Sequence, residues 1–308
     1  MSILTWVYRY CSDPDYRFRF NVSKGMYKNM PDDVYLKRQF KAIMKKDLNL
    51  DNPTTLNEKI QWLKINDRKP IYSTMVDKYA AKDYVAGIIG KEYIIPTLGV
   101  WDKAEDIDFS QLPDQFVLKC THNSHCLVIC KDKSKLNIQK SKKILSKGLN
   151  FQYYYKFREL AYKDVKPRII AEKYLEDETG FLADYKFYCF NGKADCVLTC
   201  FDRVKGDTKF YFFDRNWELK RYNKMGKEAP EGFTKPKPDG IDKMFELADT
   251  LAKASTAPFI RVDFYNVYGQ IYFGELTLYP AAGYDLGRLP ETDKLFGDKV
   301  NLGEKLNL

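Results

Sequence analysis

Ile260-Arg261-Val262-Asp263-Phe264-Tyr265, then Tyr268-Gly269, then Ile271-Tyr272-Phe273-Gly274-Glu275-Leu276 is the stretch that decides how this chain reads. Two runs rich in β-branched and aromatic residues flank a short turn, the signature of two paired strands. Asp263 sits between Val262 and Phe264. Asp is disfavoured inside a strand, and a buried carboxylate needs a partner. If the register sets Asp263 across from Glu275, two carboxylates share one face and repel. A hard cation such as Mg²⁺, which prefers oxygen ligands, relieves that repulsion. Arg261, two residues before Asp263, lies on the same strand face, where it can steady a developing anion. The plainer alternative is a row of polar residues on a solvent face. The apolar neighbours of Asp263 weigh against it.

Working back from this hairpin, strands are expected at Asp184 to Phe190, Ala194 to Phe201 and Lys209 to Phe213. Asn191-Gly192 between the first two is a strong type I′ hairpin signal, and Lys205-Gly206-Asp207 reads as a second turn. Residues 241–254 read as a helix. Arg168 to Leu175 reads as a strand, as do Phe116 to Cys120 and Leu127 to Cys130, the last two as a hairpin-like pair around the polar loop Thr121 to Cys126. A basic helix is expected over 137–150.

Before residue 100 the pattern is helical. A helix over 32–48 would be capped by Asp32 or Asp33. Thr55 and Glu58 have capping-box spacing before the helix through Ile60, Trp62 and Leu63. A third helix is expected over 73–88, and Ile94-Ile95 before Pro96 as a short strand. The class is therefore α+β, with the chemistry in the later two-thirds.

Composition narrows the partners. The chain has 308 residues, with 51 Lys and Arg against 42 Asp and Glu, a net charge of +9. Hydrophobic residues at 44% and charged residues at 30% exclude a disordered chain, a coiled coil or a collagen-like repeat. The positive excess suits a phosphate- or carboxylate-rich partner. The basic residues are spread along the chain, which argues against a nucleic-acid module. No run of 18 apolar residues marks a membrane span, and the first residues make a poor signal peptide. Seven cysteines, an odd number and mostly in apolar runs, read as free thiols of a cytoplasmic protein. Trp6, Tyr8, Arg9, Tyr10, Tyr16, Arg17, Phe18 and Arg19 admit a peripheral membrane contact as a second reading. Cys120, His122, His125, Cys126 and Cys130 follow none of the usual zinc spacings, so core thiols and loop histidines are expected.

Lys119 at a strand end before a small polar loop is a weak phosphate-holding signal; no Walker A sequence is present. Glu172-Lys173-Tyr174-Leu175, followed by Asp184 and Lys186, ends a strand in a hinge-like segment whose backbone can read a base edge. Taken alone, it is a strand with polar ends.

In order, these pieces resemble the ATP-grasp superfamily, most closely its TupA-like branch of teichuronopeptide biosynthesis. The text that carries the likeness is Leu56-Asn57-Glu58-Lys59-Ile60-Gln61-Trp62-Leu63, Val76-Asp77-Lys78-Tyr79, Leu118-Lys119-Cys120-Thr121-His122, Ile170-Ala171-Glu172-Lys173-Tyr174-Leu175, Asp184-Tyr185-Lys186-Phe187, Arg261-Val262-Asp263-Phe264 and Gly274-Glu275-Leu276-Thr277. The resemblance implies two α+β subdomains gripping ATP. The expected division is a helical extension over 1–75 and a catalytic domain over 76–308, with a lid subdomain near 114–175. It implies that Lys78 and Lys119 contact the ATP phosphates and that the loop through Thr121, His122, Asn123 and Ser124 covers them. Glu172, Lys173, Tyr174 and Leu175 would hold adenine and Asp184 the ribose. Lys186 and Arg203 would line the nucleotide or substrate side. Asp263, Glu275 and Thr277 would bind Mg²⁺, with Arg261, Lys119 and Arg203 in catalysis.

Two departures stand out. The family loop is usually of the form His-Gly-Ser-Gly-Gly, whereas His122-Asn123-Ser124-His125-Cys126 has no glycine. Asn123 tolerates positive φ better than most residues. Thr277 stands where related ligases commonly carry Asn, and its hydroxyl is a weaker oxygen ligand. The activity implied is an ATP-dependent carboxylate–amine ligase of bacterial cell-surface polysaccharide biosynthesis, acting through an acylphosphate. Its substrates would be an anionic sugar or amino-acid carboxylate and an amine acceptor. The alternatives are a glycosyltransferase of a polysaccharide cluster, for which no Asp-x-Asp triplet is found near a strand end, and a degenerate nucleotide-binding protein.

Overall fold

The computed structural model describes residues 3–124, 126–177, 180, 182–201 and 208–303. Helices open the chain: α1 (Ile3–Ser12), α2 (Pro14–Ser23), α3 (Asp32–Met44), α4 (Leu56–Asn66), α5 (Ile71–Val76) and α6 (Ala80–Ile89). The capping box of α4 forms as the spacing predicts: the Glu58 N–H donates to Thr55 Oγ1 at 3.3 Å, and the Thr55 N–H donates to Glu58 Oε2 at 3.0 Å. The cap of α3 does not. Pro31 stands at that position with no side-chain cap. Asp32 instead accepts from the Tyr154 hydroxyl at 2.9 Å and pairs with Arg158 at 3.2 Å.

The single helix expected over 73–88 is two, α5 and α6, parted at Asp77. Asp77 is extended (φ −73°, ψ 112°), and its carboxylate accepts the Tyr79 N–H at 2.9 Å. The break leaves Lys78 outside both helices. Ile94 forms only an isolated bridge to Phe273, not a strand. The strand lies just beyond it, at β1 (Thr97–Trp101), which the sequence reading missed.

β1 joins β2 (Phe116–Cys120), β3 (Leu127–Cys130) and β4 (Ile169–Lys173) in an antiparallel sheet of order β1-β4-β2-β3. Between β3 and β4 come α7 (Ile138–Leu149) and α8 (Tyr153–Phe157). Phe116, Leu118, Cys120 and Ala171 bury one face of the sheet together with Leu145 of α7. The opposite face carries Val117, Lys119, Leu127, Ile129 and Glu172, because side chains alternate along a strand.

The larger sheet contains β5 (Ala183–Phe190), β6 (Lys193–Phe201), β7 (Lys209–Asp214), β8 (Leu219–Lys220), β9 (Phe259–Val267) and β10 (Gln270–Thr277), in the order β10-β9-β5-β6-β7-β8. Two of its three expected turns are present, with positive φ at Asn191 and Gly192 (48° and 84°) and at Tyr268 and Gly269 (52° and 84°); the third, Lys205-Gly206-Asp207, lies outside the described residues. α9 (Lys224–Glu228), α10 (Ile241–Ser255) and α11 (Pro290–Lys299) complete the chain. Alternation divides β9. Ile260, Val262 and Phe264 enter the core with Phe187, whose ring meets Phe245 of α10 edge-on at 4.8 Å. Arg261, Asp263 and Tyr265 take the other face.

Candidate functional site

That other face is a grid built by strand register. Lys186 on β5, Asp263 on β9 and Glu275 on β10 are direct cross-strand partners and form one rung. Tyr188, Arg261 and Thr277 form the next. Antiparallel partners point the same way, so both rungs face one side.

The groups bind each other tightly. Arg261 Nε donates to Asp263 Oδ1 at 2.6 Å. Arg261 Nη2 donates to Asp263 Oδ2 at 2.7 Å, to Glu275 Oε1 at 2.7 Å and to Thr277 Oγ1 at 3.1 Å. Lys186 Nζ lies 2.8 Å from Asp263 and 2.6 Å from Asp184. The Thr277 hydroxyl donates to Glu275 Oε1 at 3.1 Å. Burial acts to raise the Glu275 carboxyl, but Lys78, Arg261 and Lys186 outweigh it and hold the group at about 2.

Three oxygens, from two carboxylates and a hydroxyl, thus converge on one cationic nitrogen. Such an all-oxygen donor set suits Mg²⁺, which commonly takes one or two carboxylates and completes its shell with water and phosphate. Among the described residues no group of three or more His, Cys, Asp or Glu has the makings of a metal site. The fit therefore rests on Asp263, Glu275 and Thr277 together.

Lys78 bridges the two sheets. Its Nζ donates to the carbonyl of Asn123 at 2.9 Å and lies 3.9 Å from Glu275 Oε2. Burial lowers its pKa, against the opposing pull of Glu275. The loop after β2 is held by its side chains. Thr121, His122 and Asn123 are buried, while Ser124 is exposed. His122 Nε2 contacts the carbonyl of Phe151 at 3.1 Å, and Asn123 Nδ2 donates to the carbonyl of Gly148 at 3.0 Å. Asn123 Oδ1 accepts the Cys126 N–H at 3.1 Å. None of the described loop residues takes positive φ, so none of them calls for glycine.

A cleft of about 250 Å³ lies beside this grid. It is lined by Val117, Lys119, Leu127, Ile129, Lys173, Tyr174, Leu175 and Tyr265, among others. Leu127 and Ile129 are 49% and 53% exposed, large apolar side chains turned to this opening. Sequence reasoning missed them. The available signal was that Leu127 to Cys130 is apolar at every position, so both faces of that strand seek cover. Glu172 stands at the cleft wall, but its carboxylate is engaged by Lys82 at 2.7 Å and by Lys119. Burial acts to raise it, and the two lysines bring it below the usual carboxylate value. The structure thus gathers Lys119 and Glu172 to Leu175 at the cleft, and Lys78, Asp184, Lys186, Arg261, Asp263, Glu275 and Thr277 at the grid. Arg203 and His125 lie outside the described residues.

The sequence model of the family described as TupA-like ATPgrasp matches residues 58–301. The chain belongs to this family and is an ATP-binding enzyme of the ligase type. No curated protein sequence matches it. Similar solved structures include a D-cycloserine synthetase, at 15% identity over 75% of this chain and 70% of that one, with a TM-score of 0.43. The D-alanine–D-alanine ligase of Helicobacter pylori is 15% identical over 81% and 70%, with a TM-score of 0.42. That of Bacillus anthracis is 13% identical over 94% and 92%, with a TM-score of 0.45. No described helix is long and apolar enough to cross a membrane.

Proposed function

We propose that this ligase activates a carboxylate as an acylphosphate and transfers the acyl group to an amine, using a uronic acid or amino-acid carboxylate destined for a surface polysaccharide. The observation that carries this reading is the Lys186–Asp263–Glu275 rung with Arg261 across it, next to an apolar cleft. The apolar walls of the cleft, Val117, Leu127, Ile129 and Leu175, suit a flat base. Lys119 at its rim and Lys78 beyond it suit the phosphates, with Lys186 and Asp184 toward the sugar. Asp263, Glu275 and Thr277 would hold Mg²⁺, which supplies charge neutralisation on the phosphates when bound.

A substrate carboxylate oxygen attacks the γ-phosphorus, the bond to the β-phosphate oxygen breaks, and ADP leaves. The amine nitrogen then bonds to the activated carbonyl carbon. The carbon–oxygen bond to phosphate breaks, and the nitrogen loses a proton as phosphate departs. Arg261 and Lys78 stabilise the negative charge that builds up in both steps, and positioning supplies much of the rest.

Incubation with Mg²⁺-ATP, UDP-uronates and a pool of amino acids tests this reading. ADP release that needs both a carboxylate and an amine, with a new amide mass, is expected. Nucleotide-sugar consumption without ATP turnover overturns it. The exposed Val7, Tyr8 and Arg9 of α1 support a peripheral contact with an anionic bilayer, checked by co-sedimentation with phosphatidylglycerol vesicles; no binding at low salt removes it.

A further inference from the structure

Two of the seven cysteines face each other across the neck of the loop after β2. Strands β2 and β3 pair in register from Phe116 with Cys130 to Lys119 with Leu127. Continued by one step, that register sets Cys120 opposite Cys126, and the Cys120 N–H donates to the Cys126 carbonyl at 3.3 Å. Opposed residues of an antiparallel pair that share a ladder hydrogen bond stand about 5.5 Å apart at Cα, with their side chains on one face. A disulfide spans about 4.4–6.8 Å between Cα atoms, so the rung has the right width for one.

Both sulfurs turn to the same spot on α7. Cys120 Sγ lies 3.7 Å from the carbonyl oxygen of Leu145, and Cys126 Sγ lies 3.7 Å from that of Ile144, the adjoining residue. Gly148, one turn further on, leaves room for the two. A Cβ there would fall 2.4 Å from Cys126 Sγ and 2.7 Å from Cys120 Sγ. Two sulfurs that close to one point are near neighbours. The hydrogen bond between the thiols lowers the pKa of Cys126 and, together with burial, raises that of Cys120. The pair thus has one member disposed to attack and one held as the thiol.

The attacking member can be reached. A cavity of about 390 Å³ is lined by Asn123, Cys126, Lys147, Phe151 and Lys156, among others. Cys120 is fully buried and does not line it. The stretch between the two cysteines is tied to Lys78. The Thr121 carbonyl accepts the Lys78 N–H at 3.1 Å, and the Asn123 carbonyl accepts from Lys78 Nζ at 2.9 Å. For Lys78 to take a phosphate, the Asn123 carbonyl must give way, because two oxygens carrying negative charge repel at one ammonium. A covalent link across the neck of the loop opposes that movement.

We infer that Cys120 and Cys126 form a reversible disulfide that clamps the loop and weakens ATP binding. This rests on the reading of Lys78 as a phosphate-binding group. The oxidant is a low-molecular-weight disulfide. The Cys126 thiolate attacks one of its sulfurs, the S–S bond breaks, and one small thiolate leaves. Cys120 then gives up its proton and attacks Cys126 Sγ, and the second small thiolate leaves. The two leaving groups take up the two protons that the cysteines lost. Two protein thiols are oxidised to one disulfide, and one small disulfide is reduced to two thiols.

The experiment incubates the full chain with oxidised glutathione, then reads peptide masses and the Kd for Mg²⁺-ATP by calorimetry. The wild-type peptide holding both cysteines should lose two hydrogens, with fragment ions placing the link between Cys120 and Cys126. Its Kd should rise by about tenfold or more, the scale of one lost charged hydrogen bond, and return with dithiothreitol. Cys120→Ala should bind ATP like the reduced wild type, and after oxidation it should carry one glutathione on Cys126. A wild type that keeps both thiols, stops with glutathione on Cys126 or links through Cys130 overturns the inference. So does a Cys120–Cys126 link that leaves the Kd unchanged. These outcomes are read on the wild type, so they stand even where a cysteine variant folds poorly. Reduced Lys78→Ala separates the two readings. If it binds ATP as tightly as wild type, the phosphate role of Lys78 fails and the clamp fails with it. If it binds more weakly while the disulfide changes nothing, the phosphate role stands and only the clamp is overturned.

Discussion

Glu275 stands opposite Asp263, and not opposite Val262, because β10 carries one residue more than β9 at Gly274. From Gln270 to Phe273 the pairing runs in one register; past Gly274 it has slipped by one. Without that bulge Glu275 would pair with Val262, whose side chain lies in the core, and Asp263 would face an empty position. A Cβ on Gly274 would lie 3.1 Å from the Asp263 carbonyl oxygen and 3.1 Å from the Tyr265 ring. Gly274→Ala should therefore cost about 1 kcal/mol, seen as a fall in Tm of a few degrees, together with a fall in ATP turnover. Thermal melting and an ADP assay read the two effects. A variant equal to wild type in both would show that the bulge tolerates a side chain.

Asp263→Asn and Glu275→Gln keep the size of the side chain and remove the charge that a divalent cation needs. Each should lower Mg²⁺-dependent ADP formation by at least about 100-fold, the scale of losing several kcal/mol of charge stabilisation. Circular dichroism should show the fold intact. Persistent turnover in both variants would mean the metal is held elsewhere.

Glu172 ties Lys82 and Lys119 together at the cleft wall. Its replacement by Gln leaves two partly or fully buried ammonium groups without their anion, at a cost of about 3 kcal/mol. Urea denaturation measures this. The native pKa of Glu172 lies below its ordinary value of 4.5, so the pair's stabilisation is complete above that value and is lost as the pH falls through the lower, folded one. Acid unfolding should accordingly begin below pH 4.5 in wild type, and this part of the acid sensitivity should be absent in Glu172→Gln.

The interior pair Lys64 and Glu159 should leave a mark on stability against pH. Glu159 is raised by burial from 4.5 to about 8, so the folded state holds the extra proton between these values and stability falls as pH rises across them. Lys64 is lowered by burial from 10.5 to about 7, so the unfolded state holds the extra proton above 7 and stability rises from there to 10.5. Each slope is at most about 1.4 kcal/mol per pH unit. Glu275, Tyr153, Tyr162, Tyr279 and Tyr284 are coupled electrostatically to Glu159, so the Glu159→Gln difference is the cleaner measure. Its stability curve should lose the falling limb between pH 4.5 and 8; the same limb in the variant would assign the titration to another group.

The site was legible in the sequence where chemistry and local pattern coincide. Arg261 and Asp263 share a face because they lie two apart on a strand, and this needs no tertiary information. Thr55 and Glu58 announced the start of α4 in the same way. The alternating strands, the Asn191-Gly192 turn and the order of loose motifs sufficed to place the chain among ATP-grasp proteins. The break at Asp77 escaped because 73–88 keeps helical periodicity on both sides of it. β1 escaped because Thr97 to Trp101 is short and bounded by no clear strand signal.

What the tertiary structure alone decided is which groups meet. Glu275 reaches Asp263 only through a one-residue bulge, and a bulge shifts register without changing composition. Glu172 carries its charge into two lysines from distant helix and strand positions. Glu159 follows a loop helix with nothing in its own sequence to mark it. Its raised carboxyl comes from burial, a quantity that exists only once the chain has folded around it.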